Sequence, residues 1–121
     1  MKDKMDYVTR DTAMLAKDNG YTELNYTFYN IYDDDDDEVH GGYSNNLLIP
    51  IRISAPTQTS LQKWLRDEKN IHLTVIHRND IITNIGSYDF LLENTDVKYH
   101  NFKTWEEALE IGLRFALNLI K

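Results

Sequence analysis

The segment Thr104 to Lys121 reads as one amphipathic helix, and it constrains what the rest of the chain must build. Thr104-Trp105-Glu106-Glu107 is a capping box, with Thr104 as N-cap, Glu107 at N3 and Phe102 near enough to pack against the helix start. Trp105, Ala108, Leu109, Gly112, Ala116, Leu119 and Ile120 recur at helical spacing on one face, while Glu106, Glu110, Arg114, Asn118 and Lys121 face away. Glu110 and Arg114 form an i,i+4 pair in the favourable order. A helix with so wide an apolar stripe needs a surface to lie on. Gly112 sits on that stripe although glycine costs about 1 kcal/mol relative to alanine in an exposed helix, so it predicts a close approach to the surface rather than a break.

Alternating segments supply the surface. Leu24 to Tyr32 alternates as a strand, with Tyr26 and Tyr32 on one face and Tyr29 on the other. Asn46 to Ser54 carries Leu47, Ile49, Ile51 and Ile53 on one face, and Pro50 within it predicts an edge strand or a bulge. Ile71 to Ile76 is a third strand, His77 to Asn84 a polar turn region, and Tyr88, Phe90 and Leu92 mark a fourth strand. A weaker extended piece spans Val97 to Phe102. Two further helices complete the pattern. Thr9 to Asn19 has Thr9 as N-cap and Gly20 just past its end, and Gln58 to Lys69 follows Ala55-Pro56-Thr57, buries Leu61, Trp64 and Leu65, and closes at Asn70. The order α-β-β-α-β-β-(β)-α predicts a single α+β domain over 1–121, with three helices packed on an antiparallel sheet of four to five strands.

Chemistry is constrained more by what is missing. The 121 residues contain no cysteine, which excludes disulfides, thiol catalysis and Cys-ligated metal centres. No apolar run approaches the ~20 residues of a membrane span, and Met1 to Arg10 lacks a signal-peptide core, so a cytoplasmic location with no membrane association is expected. Of the net charge of -7, six units sit in Asp33, Asp34, Asp35, Asp36, Asp37 and Glu38, leaving -1 for the other 115 residues. So nearly neutral a body offers no broad basic face, which disfavours nucleic acid.

The acidic run and the Gly41-Gly42 pair place a long acidic hairpin loop at 33–46. Its carboxylates suit a hard cation in kind but lack the order of an EF-hand, and a solvated tip is the simpler reading. His40, His72, His77 and His100 do not cluster: the odd spacing of His72 and His77 puts them on opposite strand faces, and His100 is followed by no acidic partner. GxSxG, HExxH, GxGxxG and P-loop motifs are absent. No catalytic residue, metal site or cofactor is therefore assigned. Trp64 and Trp105 read as core. If any patch meets a protein partner, the expected contact residues are Tyr29, Asp33, Asp34, Asp35, Asp36, Asp37, Glu38 and Tyr43.

Three segments carry a resemblance across nearly the whole chain. They are Thr12 to Tyr21; Ala55-Pro56-Thr57 with Leu61-Gln62-Lys63-Trp64-Leu65-Arg66 and Asn70-Ile71-His72; and Thr104-Trp105-Glu106-Glu107-Ala108-Leu109-Glu110 with Gly112-Leu113 and Ala116-Leu117. Together they resemble a recurring small protein of Bacteroides-type gut bacteria and their phages and prophages. The resemblance implies a mobile-element context and carries over no catalytic residue. The second half also shares its order of elements with double-stranded RNA-binding domains, but Glu106 and Glu107 stand where such modules present lysines to phosphate. The expectation is a non-catalytic module that binds a host macromolecule as inhibitor or accessory factor. A small-ligand or metal-ion binder and a structural homo-oligomer are the alternatives, and exposed sheet edges permit a homodimer.

Overall fold

The computed structural model describes residues 6–31, 38–47, 51–80, 85–93 and 95–120. The chain divides into two compact units, Met1–Thr57 with Lys121 and Gln58–Ile120, and each has its own three-stranded antiparallel sheet. The α+β class with three helices is as expected, whereas one sheet of four to five strands is replaced by two sheets of three.

In the first unit, α1 (Arg10–Asp18) starts where Thr9 Oγ1 accepts from the Thr12 amide at 3.4 Å. It ends in a paired closure: Gly20 N–H donates to Lys17 O at 3.2 Å and Tyr21 N–H to Ala16 O at 2.9 Å. Gly20 has φ +91°, the left-handed conformation that this closure asks of its residue and that glycine adopts without strain. Strand β1 (Asn25–Asn30) is central, flanked by β2 (His40–Ser44) and β3 (Arg52–Ser54), and α1 packs on β3. Tyr29 and Ile53 are cross-strand neighbours, both buried. Asn46 is buried too and acts as a clip: its Nδ2 donates to Tyr21 O at 2.8 Å while its Oδ1 accepts from the Ser54 amide at 3.0 Å.

Two expectations change here. The stretch 33–46 is not loop throughout, because His40–Ser44 is β2. Gly41-Gly42 was expected within the hairpin loop, but between the pairs Asn25/Ser44 and Thr27/Gly41 strand β2 holds one extra residue, a bulge. Gly42 lies there at φ +153°, and a Cβ on it would stand 3.0 Å from Phe28 Cε2. The run Asn46 to Ser54 is also shorter as a strand, forming only β3 at Arg52–Ser54. Residues 48–50, including Pro50, lie outside the described residues.

In the second unit, α2 (Gln58–Lys69) has the expected bounds and buries Leu61, Trp64 and Leu65; Asn70, at φ 55°, closes it. Strands β4 (Leu73–Asp80), β5 (Ile85–Leu92) and β6 (Lys98–Phe102) follow, with β5 central, and α3 (Trp105–Leu119) packs against the sheet. Strand β4 runs four residues into the expected turn His77 to Asn84, in register with β5 from Leu73/Leu92 to Asp80/Ile85. Leu73, Val75, Phe90 and Leu92 are buried, and α3 contributes Leu109, Gly112, Leu113 and Ala116. Phe90 is the centre, with Tyr99, Phe102 and Phe115 ring centroids 5.2, 5.7 and 6.3 Å away.

The N-cap forms as read, Thr104 Oγ1 accepting from the Glu107 amide at 3.0 Å, while the Glu107 carboxylate reaches one residue further back than a capping box requires and accepts from the Lys103 amide at 2.9 Å. The helix face is rotated from the expected one. Glu110 is buried and accepts from Gln58 Nε2 at 3.0 Å, whereas Trp105 and Leu119 are exposed. A polar partner on α2 makes the buried carboxylate tolerable, and such a partner leaves no trace in the periodicity of α3.

Candidate functional site

The residues proposed for partner contact separate. Tyr29 is withdrawn from the surface: it is buried, and its hydroxyl donates to Val8 O at 2.6 Å. Alternation put it on the opposite face from Tyr26 but could not say which face α1 would cover. Tyr43 is 47% exposed and Glu38 is exposed, while Asp33 to Asp37 lie outside the described residues. Tyr43 meets Tyr26, itself 68% exposed, edge to face with centroids 6.3 Å apart. Next to them Arg52 lies over the Phe28 ring at 4.2 Å and donates from Nη1 to Tyr43 O. This sheet thus presents two exposed tyrosine rings edge to face, beside an arginine that stacks on Phe28 and holds the Tyr43 backbone.

The second unit holds the more organised polar group, on the sheet face that carries Ile76 and Asp89 as cross-strand neighbours. Strands β5 and β6 pair Phe90 with Tyr99 and then Tyr88 with Phe102, so β6 bulges and sets both His100 and Asn101 against Asp89. Asn101 adopts φ 72°. Its amide, freed from the ladder, donates to Asp89 Oδ1 at 3.2 Å.

Asp89 Oδ2 takes two further donors, Arg78 Nε at 3.2 Å and His100 Nδ1 at 3.0 Å, and Arg78 Nη2 reaches Asn101 Oδ1 at 3.0 Å. The carboxylate side chain is only 5% exposed, against 53% for Arg78 and 44% for His100. Burial pushes the Asp89 pKa up, but the His100 hydrogen bond, the Asn101 amide and the Arg78 charge together outweigh it and hold the carboxyl below its usual value. Asp89 is thus an anionic post that orients an arginine and a histidine. With Nδ1–H donated to the carboxylate, His100 keeps Nε2 for something else.

The sequence offered no acidic partner following His100, and the structure supplies one that precedes it, bringing Asp89, eleven residues earlier, to 3.0 Å. The signal is tertiary, since only the β6 bulge determines which side chains oppose Asp89. Among the described residues no group of three or more His, Cys, Asp or Glu is placed to hold a metal ion. Also among the described residues, no helix is long and apolar enough to cross a membrane. No protein-family model, curated protein or solved structure matches the chain.

Proposed function

We propose that the chain is a small phage- or prophage-type binding module, without catalytic activity, that docks on a basic surface of a host protein through its first unit. The observation that carries this reading is the exposed Tyr26–Tyr43 pair. Rigid aromatic rings give large contact area at low entropic cost, and tyrosine is enriched at such interfaces. Charge supports the sign of the partner: residues 1–57 hold eleven Asp and Glu against five Lys and Arg, a balance of -6. The whole of that excess equals the charge of Asp33, Asp34, Asp35, Asp36, Asp37 and Glu38, in the chain between β1 and β2. Complementary charge of this kind raises association rates and rejects acidic competitors.

The test is affinity capture from host lysate with quantitative mass spectrometry, followed by binding of the purified candidate. Wild type is compared with Tyr26→Ser/Tyr43→Ser and with a variant carrying Gly and Ser at 33–38. A basic protein that binds wild type directly and is lost from both folded variants supports the reading. A partner retained by the tyrosine variant removes the sheet face from the account, and recovery of a defined self-assembly instead would favour a structural subunit. The alternative of a small-ligand binder gains support from one observation, the Arg78–Asp89–His100 group.

A further inference from the structure

From the geometry around the β6 bulge we infer that Arg78 and His100, mounted on Asp89, form a binding site for a phosphate group, independent of any docking by the first unit. Three features carry this. The first is construction: a buried carboxylate with three donors, one of them the amide of a left-handed bulge residue, fixes the Arg78 guanidinium and the His100 imidazole relative to one another. Both reach the same oxygen, Arg78 Nε at 3.2 Å and His100 Nδ1 at 3.0 Å, so the guanidinium and the imidazole sit side by side at the carboxylate. A pre-fixed pair avoids the ordering cost that makes loose surface cations poor anion ligands.

The second feature is spare capacity. Arg78 spends Nε and Nη2 on Asp89 and Asn101, which leaves the Nη1 edge of its fork without a partner among the described residues. His100 likewise spends Nδ1 and keeps Nε2. An arginine fork beside an imidazole N–H matches the several acceptor oxygens of a phosphate. The third is charge. The carboxylate is balanced by Arg78, and Lys98, two residues before His100 on β6, adds a further positive charge. The groups of the three strands here are thus Arg78 from β4, Asp89 from β5, and Lys98 and His100 from β6. When a phosphate dianion binds, His100 takes up a proton from solvent, so that Nδ1–H stays on Asp89 while Nε2–H donates to the ligand.

The experiment is a side-chain ¹H–¹⁵N correlation titration of the histidines in the full chain, with inorganic phosphate, glycerol phosphate, acetate and chloride at matched ionic strength. The expected result is a saturable movement of both His100 ring nitrogens toward the imidazolium pattern with inorganic phosphate and glycerol phosphate, while His72 and His77 stay put. Tighter binding of glycerol phosphate would mark a monoester as the natural ligand; equal binding would mark the free ion. Arg78→Lys keeps the charge but loses the fork and weakens affinity about tenfold, the scale of one charge-assisted hydrogen bond. His100→Gln, which leaves the Arg78–Asp89 pair in place, does the same when phosphate affinity is read by calorimetry. The inference is overturned if phosphate moves His100 no more than chloride does, if acetate binds as well as phosphate, or if both folded variants bind like wild type.

Discussion

Replacing Gly112 by alanine sets two well-known effects against each other at one position. Within a helix the change gains about 1 kcal/mol from propensity alone. The added Cβ, however, would stand 2.8 Å from Leu73 Cδ1, 3.2 Å from Leu73 Cδ2 and 3.1 Å from Phe90 Cγ. Ordinary carbon contacts lie at about 3.5–4.0 Å, so both neighbours must move. Leu73 can rotate its methyl groups, but it is buried on β4, and the Phe90 ring is hemmed in by Tyr99, Phe102 and Phe115. Overpacking of this kind costs about 1–3 kcal/mol. The clash therefore wins, and Gly112→Ala should destabilise the protein by about 1 kcal/mol, or lower Tm by about 4 °C for a domain of this size. Thermal and urea unfolding followed by far-UV circular dichroism measure it directly. A double-mutant cycle isolates the cause: in a Leu73→Ala background the space exists, and the same glycine replacement should become neutral or stabilising. A Tm that rises for Gly112→Ala alone would refute the close-packing account.

Other expected outcomes test different parts of the structure. Tyr29→Phe removes the buried hydroxyl that donates to Val8 O and should cost about 1 kcal/mol in urea unfolding, with no change in secondary structure. Because the folded-state pKa of Asp89 is depressed, its contribution to stability is present above the ordinary carboxylate pKa of about 4 and is lost as pH falls through the folded value. Asp89→Asn should therefore lower stability at neutral pH and flatten the acid limb of the stability profile; an unchanged acid limb would count against the ion-pair geometry. Tyr21 behaves in the opposite sense. Burial pushes its pKa up to about 12, with the Asn25 hydrogen bond opposing and Glu23 reinforcing. Its share of stability, about 2–3 kcal/mol, is intact below pH 10 and lost as pH rises toward 12. Spectrophotometric titration of wild type against Tyr21→Phe should show the loss of a phenol that ionises near pH 12.

The parts of the fold legible in the sequence are those decided within a few residues. Thr9, Gly20, Thr104 and Glu107 satisfy backbone groups close by, so the ends of α1 and the start of α3 follow from them whatever the rest of the chain does. The same holds for Asn70 at the end of α2. The alternation of Leu73 and Val75, and of Phe90 and Leu92, marks strands with one buried face, and it was right about which face is buried. The glycine on the α3 stripe carried packing information too, since only a close neighbour explains its place there. The candidate site was not legible. His100, Asp89 and Arg78 sit on three different strands, and a single extra residue in β6 decides that they meet.

By itself, then, the sequence determined the α+β class, the three helices with their caps, and a chemistry without thiols, because these depend on composition, local hydrogen bonding and side-chain period. Only tertiary structure decided that the strands divide into two sheets, that Tyr29 goes inside while Tyr26 and Tyr43 stay out, that Glu110 is buried against Gln58, and that a bulge delivers His100 to Asp89. The physical reason is common to all four. Strand partners and registers are chosen by which buried faces fit together over long separations in the chain, and a shift of one residue in register sends a side chain to the opposite face.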